Sequence, residues 1–101
     1  MTTLSEKSAK LLEMLTDEYQ SKWTLAQMLN TREREVRRCV QELRNNGYVV
    51  VAHETNEGYK LGSEADREGM IREYESRIAS MAETVKALKE GKDLGQLEVN
   101  L

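Results

Sequence analysis

Residues 33–53, "EREVRRCVQELRNNGYVVVAH", change their hydrophobic period within a few positions, and this change limits the possible folds more than any other feature. At 100° per residue Val36, Cys39, Val40 and Leu43 fall on one face of a helix. Asn45, Asn46 and Gly47 then end it, with Gly47 suited to the left-handed position after a helix. The next residues, Tyr48 to His53, have the β-branched composition of a strand, and "YKL" at 59–61 offers a second. Between them "ETNEG" supplies Asn56 and Gly58 for a hairpin turn. A helix that delivers its chain directly into a hairpin points to an α+β fold.

Upstream, Thr3 and Glu6 have capping-box spacing and predict a first helix with Leu11, Leu12, Met14 and Leu15 as its apolar residues. "TDEYQSK" breaks it. Thr24 is the expected N-cap of a short second helix, "LAQMLN", with Leu25, Met28 and Leu29 inward. Trp23 is read as a core or short-strand residue. Asn30 and Thr31 separate this helix from the next, and Thr31 is the expected N-cap. The predicted order is helix, helix, helix, strand, strand, and these elements must share one core.

The chain has no proline and only six glycines, which favours a mainly helical protein. Its net charge is −3 and its pI about 5.3, so composition alone does not signal a nucleic-acid binder. The charge is uneven. Residues 1–62 carry nine Lys/Arg and nine Asp/Glu, whereas 63–101 carry six and nine, so all the excess acid lies in the second part. No apolar run approaches the ~20 residues a membrane helix needs, and no signal-peptide pattern opens the chain. One cysteine excludes an internal disulfide and fits a reducing compartment; the expected location is cytoplasmic.

Opposite the apolar face of the third helix lie Arg34, Arg38, Gln41 and Asn45, flanked by Arg37 and Arg44, with Glu35 and Glu42 on a shoulder. Residues 32–44 hold five arginines and three glutamates. A plain solvated face would mix signs along its centre, held by pairs such as Glu33–Arg37 and Arg38–Glu42 worth about 0.2–0.5 kcal/mol each. Here the centre is arginine and amide.

The stretch "LAQMLNTREREVRRCVQELRNNGYVVV…GYKL", residues 25–61, resembles the winged helix-turn-helix family. It is similar to the small N-terminal domains of bacterial and phage transcription regulators, such as biotin-operon repressors. Leu25, Ala26, Leu29, Val36 and Leu43 stand where that family has its helix-turn-helix apolar residues. Leu43, Gly47, Tyr48 and Val49 match its exit from the recognition helix, and Gly58, Tyr59 and Leu61 its return strand. The departures are Asn30 at a turn position usually glycine, and a wing with Glu54 and Glu57 where DNA-contacting wings are often basic. The resemblance implies a three-helix domain with a β-hairpin wing that binds double-stranded DNA, its third helix in a major groove. On that expectation Arg34, Arg37, Arg38 and Gln41 reach bases or the groove, and Arg32, Arg44 and Lys60 reach phosphates.

Beyond residue 62, Ser63 and Asp66 have N-cap spacing for a helix running to about Glu90. Ile71, Tyr74, Ile78, Met81, Val85 and Leu88 recur at alternating spacings of three and four, a heptad seam. The β-branched residues at 71, 78 and 85 favour a two-stranded parallel coil, but only Leu88 supplies the preferred partner position, so orientation stays open. The seam predicts a homodimer; the alternative is a helix folded back on its own domain. In the tail, Leu97, Val99 and Leu101 alternate like an added strand, against a frayed terminus.

The expected organisation is a winged helix-turn-helix domain at 1–62, a dimerisation helix at 63–90 and a tail at 91–101. His53 with Glu54 and Glu57 lacks metal-ligand spacing, Cys39 reads as core, and no phosphate-cradling loop occurs, so neither an enzyme nor a cofactor or metal is expected. The function expected is sequence-specific DNA binding by a small dimeric transcriptional regulator, with no room for a sizeable effector pocket. The rival is a winged helix used as a protein-interaction module, or a phage accessory factor acting on a replication or transcription enzyme.

Overall fold

The computed structural model describes residues 3–55 and 57–92. The chain is mainly helical, with a small three-stranded antiparallel sheet and a long C-terminal helix. Its elements are α1 (Glu6–Met14), β1 (Gln20–Ser21), α2 (Lys22–Met28), α3 (Glu33–Asn45), β2 (Val50–Ala52), β3 (Gly58–Leu61) and α4 (Glu64–Glu90). They divide into two compact units, Met1–Arg67 and Glu68–Leu101.

The first unit is built on one core. Leu11 and Leu15 come from the first helical segment, Leu25, Ala26 and Leu29 from the second, and Val36, Cys39, Val40 and Leu43 from α3. Val50 and Tyr59 close it from the sheet. The four inward positions expected of α3 are all buried, and Cys39 is a reduced core residue.

α1 is capped differently from expectation. Its N-cap is Ser5, whose hydroxyl accepts the Ser8 amide at 3.3 Å, and Thr3 lies outside. The preference for Ser5 has a tertiary cause, because the Glu42 carboxylate on α3 binds this same corner. α2 also begins earlier than the sequence suggests. Ser21, ending β1, accepts the Trp23 and Thr24 amides at 3.2 and 3.5 Å, so Thr24 lies within the helix. With α2 extended by these residues, its buried face is Leu25 and Ala26, continued by Leu29. Met28 is therefore 60% exposed and Trp23 52% exposed, correcting the inward placement of both. Trp23, read as a core or short-strand residue, is neither; the short strand before α2 is Gln20–Ser21.

The turn from α2 to α3 uses Asn30 at φ +53° in the left-handed region, which asparagine tolerates. The Thr31 amide bonds to Ala26 O at 2.8 Å, and its hydroxyl accepts from Lys7 Nζ at 3.2 Å. Thr31 therefore does not cap α3; Arg32 occupies that position without a side-chain cap bond. At the other end Gly47 has φ +92°. The amides of Gly47 and Tyr48 return to Arg44 O and Leu43 O, both at 3.0 Å, closing a Schellman motif that aims the chain into β2.

β3 is central in the sheet, order β1-β3-β2. Val50 pairs with Leu61, Val51 with Lys60 and Ala52 with Tyr59, forming the expected hairpin. On the other edge Gln20 pairs with Tyr59 and Ser21 with Gly58. A methyl group at Gly58 would lie 2.5 Å from Gln20 O, so glycine is what lets β1 approach. The Ser63–Asp66 box forms as expected: Ser63 N–H donates to Asp66 Oδ2 at 2.8 Å, and Asp66 N–H to Ser63 Oγ at 3.3 Å. Arg67 Nη1 donates to Gly47 O at 2.9 Å, joining the first turn of α4 to the α3 exit.

In the second unit no α4 side chain is buried; Ile71, Ile78, Met81, Val85 and Leu88 are exposed and Tyr74 is half-buried. The proposed strand at Leu97, Val99 and Leu101 lies outside the described residues.

Candidate nucleic-acid interface

α3 is held by its apolar face, so its opposite face is fixed in direction. Arg34, Arg37, Arg38, Gln41 and Asn45 are all exposed there. Within that stripe the side chains are in two different states.

The first group is unengaged. The side chains of Arg32, Arg34 and Arg37 make no hydrogen bond or ion pair with another described residue. They lie in the N-terminal half of the α3 region, the part of a groove-binding helix that reaches furthest. Their guanidinium forks keep every donor available for a phosphate or a base edge.

The second group is engaged within the fold. Arg38 donates from Nε to Glu35 Oε2 at 3.1 Å, pairs with it again at 3.0 Å through Nη2, and lies 3.7 Å from Glu42 Oε2. The Glu35 carboxyl is held below its ordinary pKa, chiefly because Arg38 donates to it. Gln41 Nε2 donates to Asn45 Oδ1 at 3.0 Å, pairing the C-terminal end of the stripe with itself. Arg44 is half-buried and donates from Nε to Val50 O at 2.9 Å, tying α3 to β2. Its guanidinium thus serves the packing of the hairpin as well as any external contact.

Two residues had been given lesser roles from sequence. Glu42 is not a solvated shoulder. Its carboxylate accepts from Ser5 N–H at 2.6 Å, Ser5 Oγ at 3.0 Å and Ser8 Oγ at 2.9 Å, Ser8 itself being fully buried. The Ser5 amide is the main reason that its pKa is lowered, followed by the Ser8 hydroxyl. Glu42 thereby locks α1 onto α3 and steadies Arg38 at once. Trp23 is the second. It lines an open depression with Gln27, Thr31 and Arg32, and Lys22 Nζ stands 4.9 Å from its ring centroid. The Ser21 hydroxyl two residues earlier was the available clue, since an N-cap there turns Trp23 outward.

The hairpin offers less positive charge. Lys60 Nζ lies 4.9 Å from the Tyr19 ring centroid, and the Tyr19 and His53 rings stand nearly perpendicular with centroids 4.9 Å apart. Glu54, Thr55 and Glu57 are exposed. His53 Nδ1 lies 3.0 Å from Thr55 Oγ1, and no group of three potential metal ligands occurs among the described residues.

None of the helices among the described residues is long and apolar enough to cross a membrane. No family model matches the sequence, and comparisons with curated proteins and with solved structures gave no significant match.

Proposed function

We propose that the first unit is a winged helix-turn-helix domain that binds double-stranded DNA, with α3 as the helix entering the major groove. The protein is then a small transcriptional regulator that works as a dimer through α4. The observation that carries this reading is the set Arg32, Arg34 and Arg37, exposed and without an internal ion pair at the N-cap and on the N-terminal half of α3. Three long cations that form no ion pair with the glutamates engaging Arg38 suit an external anion better than a solvated face. Exposed Trp23 beside Lys22 and Arg32 adds an aromatic surface at the edge of the same region. The α2–turn–α3 geometry, with Asn30 in the left-handed region and a β2–β3 hairpin after α3, supports the same family resemblance.

The acidic hairpin favours a second reading, a protein-interaction module or accessory factor whose arginines meet an acidic partner. Titration of a fluorescent random-sequence duplex with the full chain at two salt concentrations separates the two. DNA binding predicts an affinity that falls with salt, with a logarithmic slope of about 0.9 per phosphate contacted. No binding at low salt would overturn the DNA reading and leave the protein-module reading. Selection from a random pool would then test sequence preference.

A further inference from the structure

In α4, Ile71, Ile78, Met81, Val85 and Leu88 are 48, 64, 67, 49 and 74% exposed. They share the heptad stripe with Tyr74. Side chains of this size repeated on one stripe favour a cover. We propose that the cover is the α4 helix of a second copy of this chain, and that the two helices run antiparallel.

The flanking charges set the direction. One flank of the seam carries Glu68, Glu75, Ala82 and Lys89 at heptad steps, acidic at its beginning and basic at its end. The other carries Met70, Arg77 and Thr84. In a parallel pair, one flank meets the other flank of the partner five residues on. The meetings would be Met70 with Glu75, Arg77 with Ala82 and Thr84 with Lys89, with no opposite charges among them. In an antiparallel pair each flank meets its own counterpart reversed. Glu68 of one copy then approaches Lys89 of the other, twice by symmetry. Arg77, the cation of the second flank, is matched within its own helix by Glu73 at 4.0 Å and lies 4.7 Å from the Tyr74 ring centroid.

The seam fits the same arrangement. Ile71 with Leu88, Tyr74 with Val85 and Ile78 with Met81 are all symmetric about a point between Ala79 and Ser80. Every layer then combines a β-branched residue with a longer or aromatic one. A parallel pair would instead stack Tyr74 on Tyr74 and Met81 on Met81, with Leu88 alone supplying the leucine that favours that form.

The orientation has a geometric consequence for the DNA-binding reading, and only this consequence rests on it. With that register, residue 68 of one copy lies level with residue 91 of the other. The two copies of residue 68 are then about 35 Å apart along the axis, at a rise of about 1.5 Å per residue. A parallel pair would hold them about 8–10 Å apart.

The test needs no DNA. Sedimentation equilibrium of the full chain comes first, and a monomer would overturn the proposal. Lys89→Glu should then weaken self-association, and Glu68→Lys added to the same chain should restore it. These positions are too far apart along one helix to meet, so rescue would come from an intermolecular pair. Failure of the rescue would overturn the antiparallel register. Independently, Ile71→Cys and Leu88→Cys chains are oxidised separately and mixed. A disulfide only in the mixture supports the antiparallel pair; disulfides in the separate chains would overturn it. Buried Cys39 provides the background control in the parent chain. Loss of DNA binding with self-association intact would refute the functional reading and leave this one standing.

Discussion

Arg37→Ala, compared with Arg38→Ala, distinguishes an arginine available for DNA from one already bound within the fold. Both side chains are exposed and adjacent in sequence, and a reading by charge alone treats them alike. Arg37 has no ion pair or hydrogen bond with another described residue, whereas Arg38 faces Glu35 at 3.0 Å and Glu42 at 3.7 Å. Removing Arg37 should leave the unfolding free energy within about 0.5 kcal/mol of the parent, since no packed or paired group is lost. If it contacts a base bidentately, the affinity cost is about 1–3 kcal/mol. That corresponds to a roughly 5- to 150-fold rise in Kd. If it contacts a phosphate, the salt slope should fall by about 0.9 with a similar loss on every sequence. Arg38 already engages the Glu35 carboxylate through Nε and Nη2, leaving it fewer free donors and less uncompensated charge, so its truncation should cost less affinity. The assay is fluorescence anisotropy on a duplex at several salt concentrations, with denaturant unfolding of each variant in parallel. Arg34→Ala should follow Arg37→Ala. An Arg38→Ala chain that folds but no longer binds, beside an Arg37→Ala chain unchanged in Kd, would refute the division of the stripe.

Two further outcomes concern stability. Glu42 has its folded-state pKa lowered from the ordinary value of 4.5, by the Ser5 amide first. Its contribution is therefore complete above about pH 4.5 and is lost as pH falls through the lower folded-state value. Glu42→Gln should destabilise the chain at pH 7 and flatten its stability loss on acidification, measured by denaturant unfolding at pH 7 and pH 3; an unchanged acid slope would show that this carboxylate is not the lock. Gly47→Ala introduces an L-residue at φ +92° with nothing within 4 Å of its methyl group. The strain of about 1–2 kcal/mol is partly offset by about 0.4–1 kcal/mol of reduced unfolded-chain entropy. Gly58→Ala adds a contact of 2.5 Å with Gln20 O and should lower Tm more; the reverse order in thermal unfolding would contradict the close approach of β1.

The sequence by itself determined the elements whose signal is local. The burial of Val36, Cys39, Val40 and Leu43, the glycine exit at Gly47, the hairpin and the Ser63–Asp66 cap were all legible, because period, turn chemistry and capping act over a few residues. The arginine face followed from the same geometry, since fixing one side of a helix fixes the other. Tertiary structure decided what depends on partners distant in the chain. Ser5 rather than Thr3 caps α1 in a corner shared with Glu42, thirty-seven positions away. β1 pairs with β3 across a glycine, and Ser21 at its end starts α2 early enough to turn Trp23 outward. Which arginines remain free was likewise invisible in the stripe. Both glutamates that hold Arg38 are its near neighbours on α3, yet only packing against α1 places Glu42 where it can act on both helices.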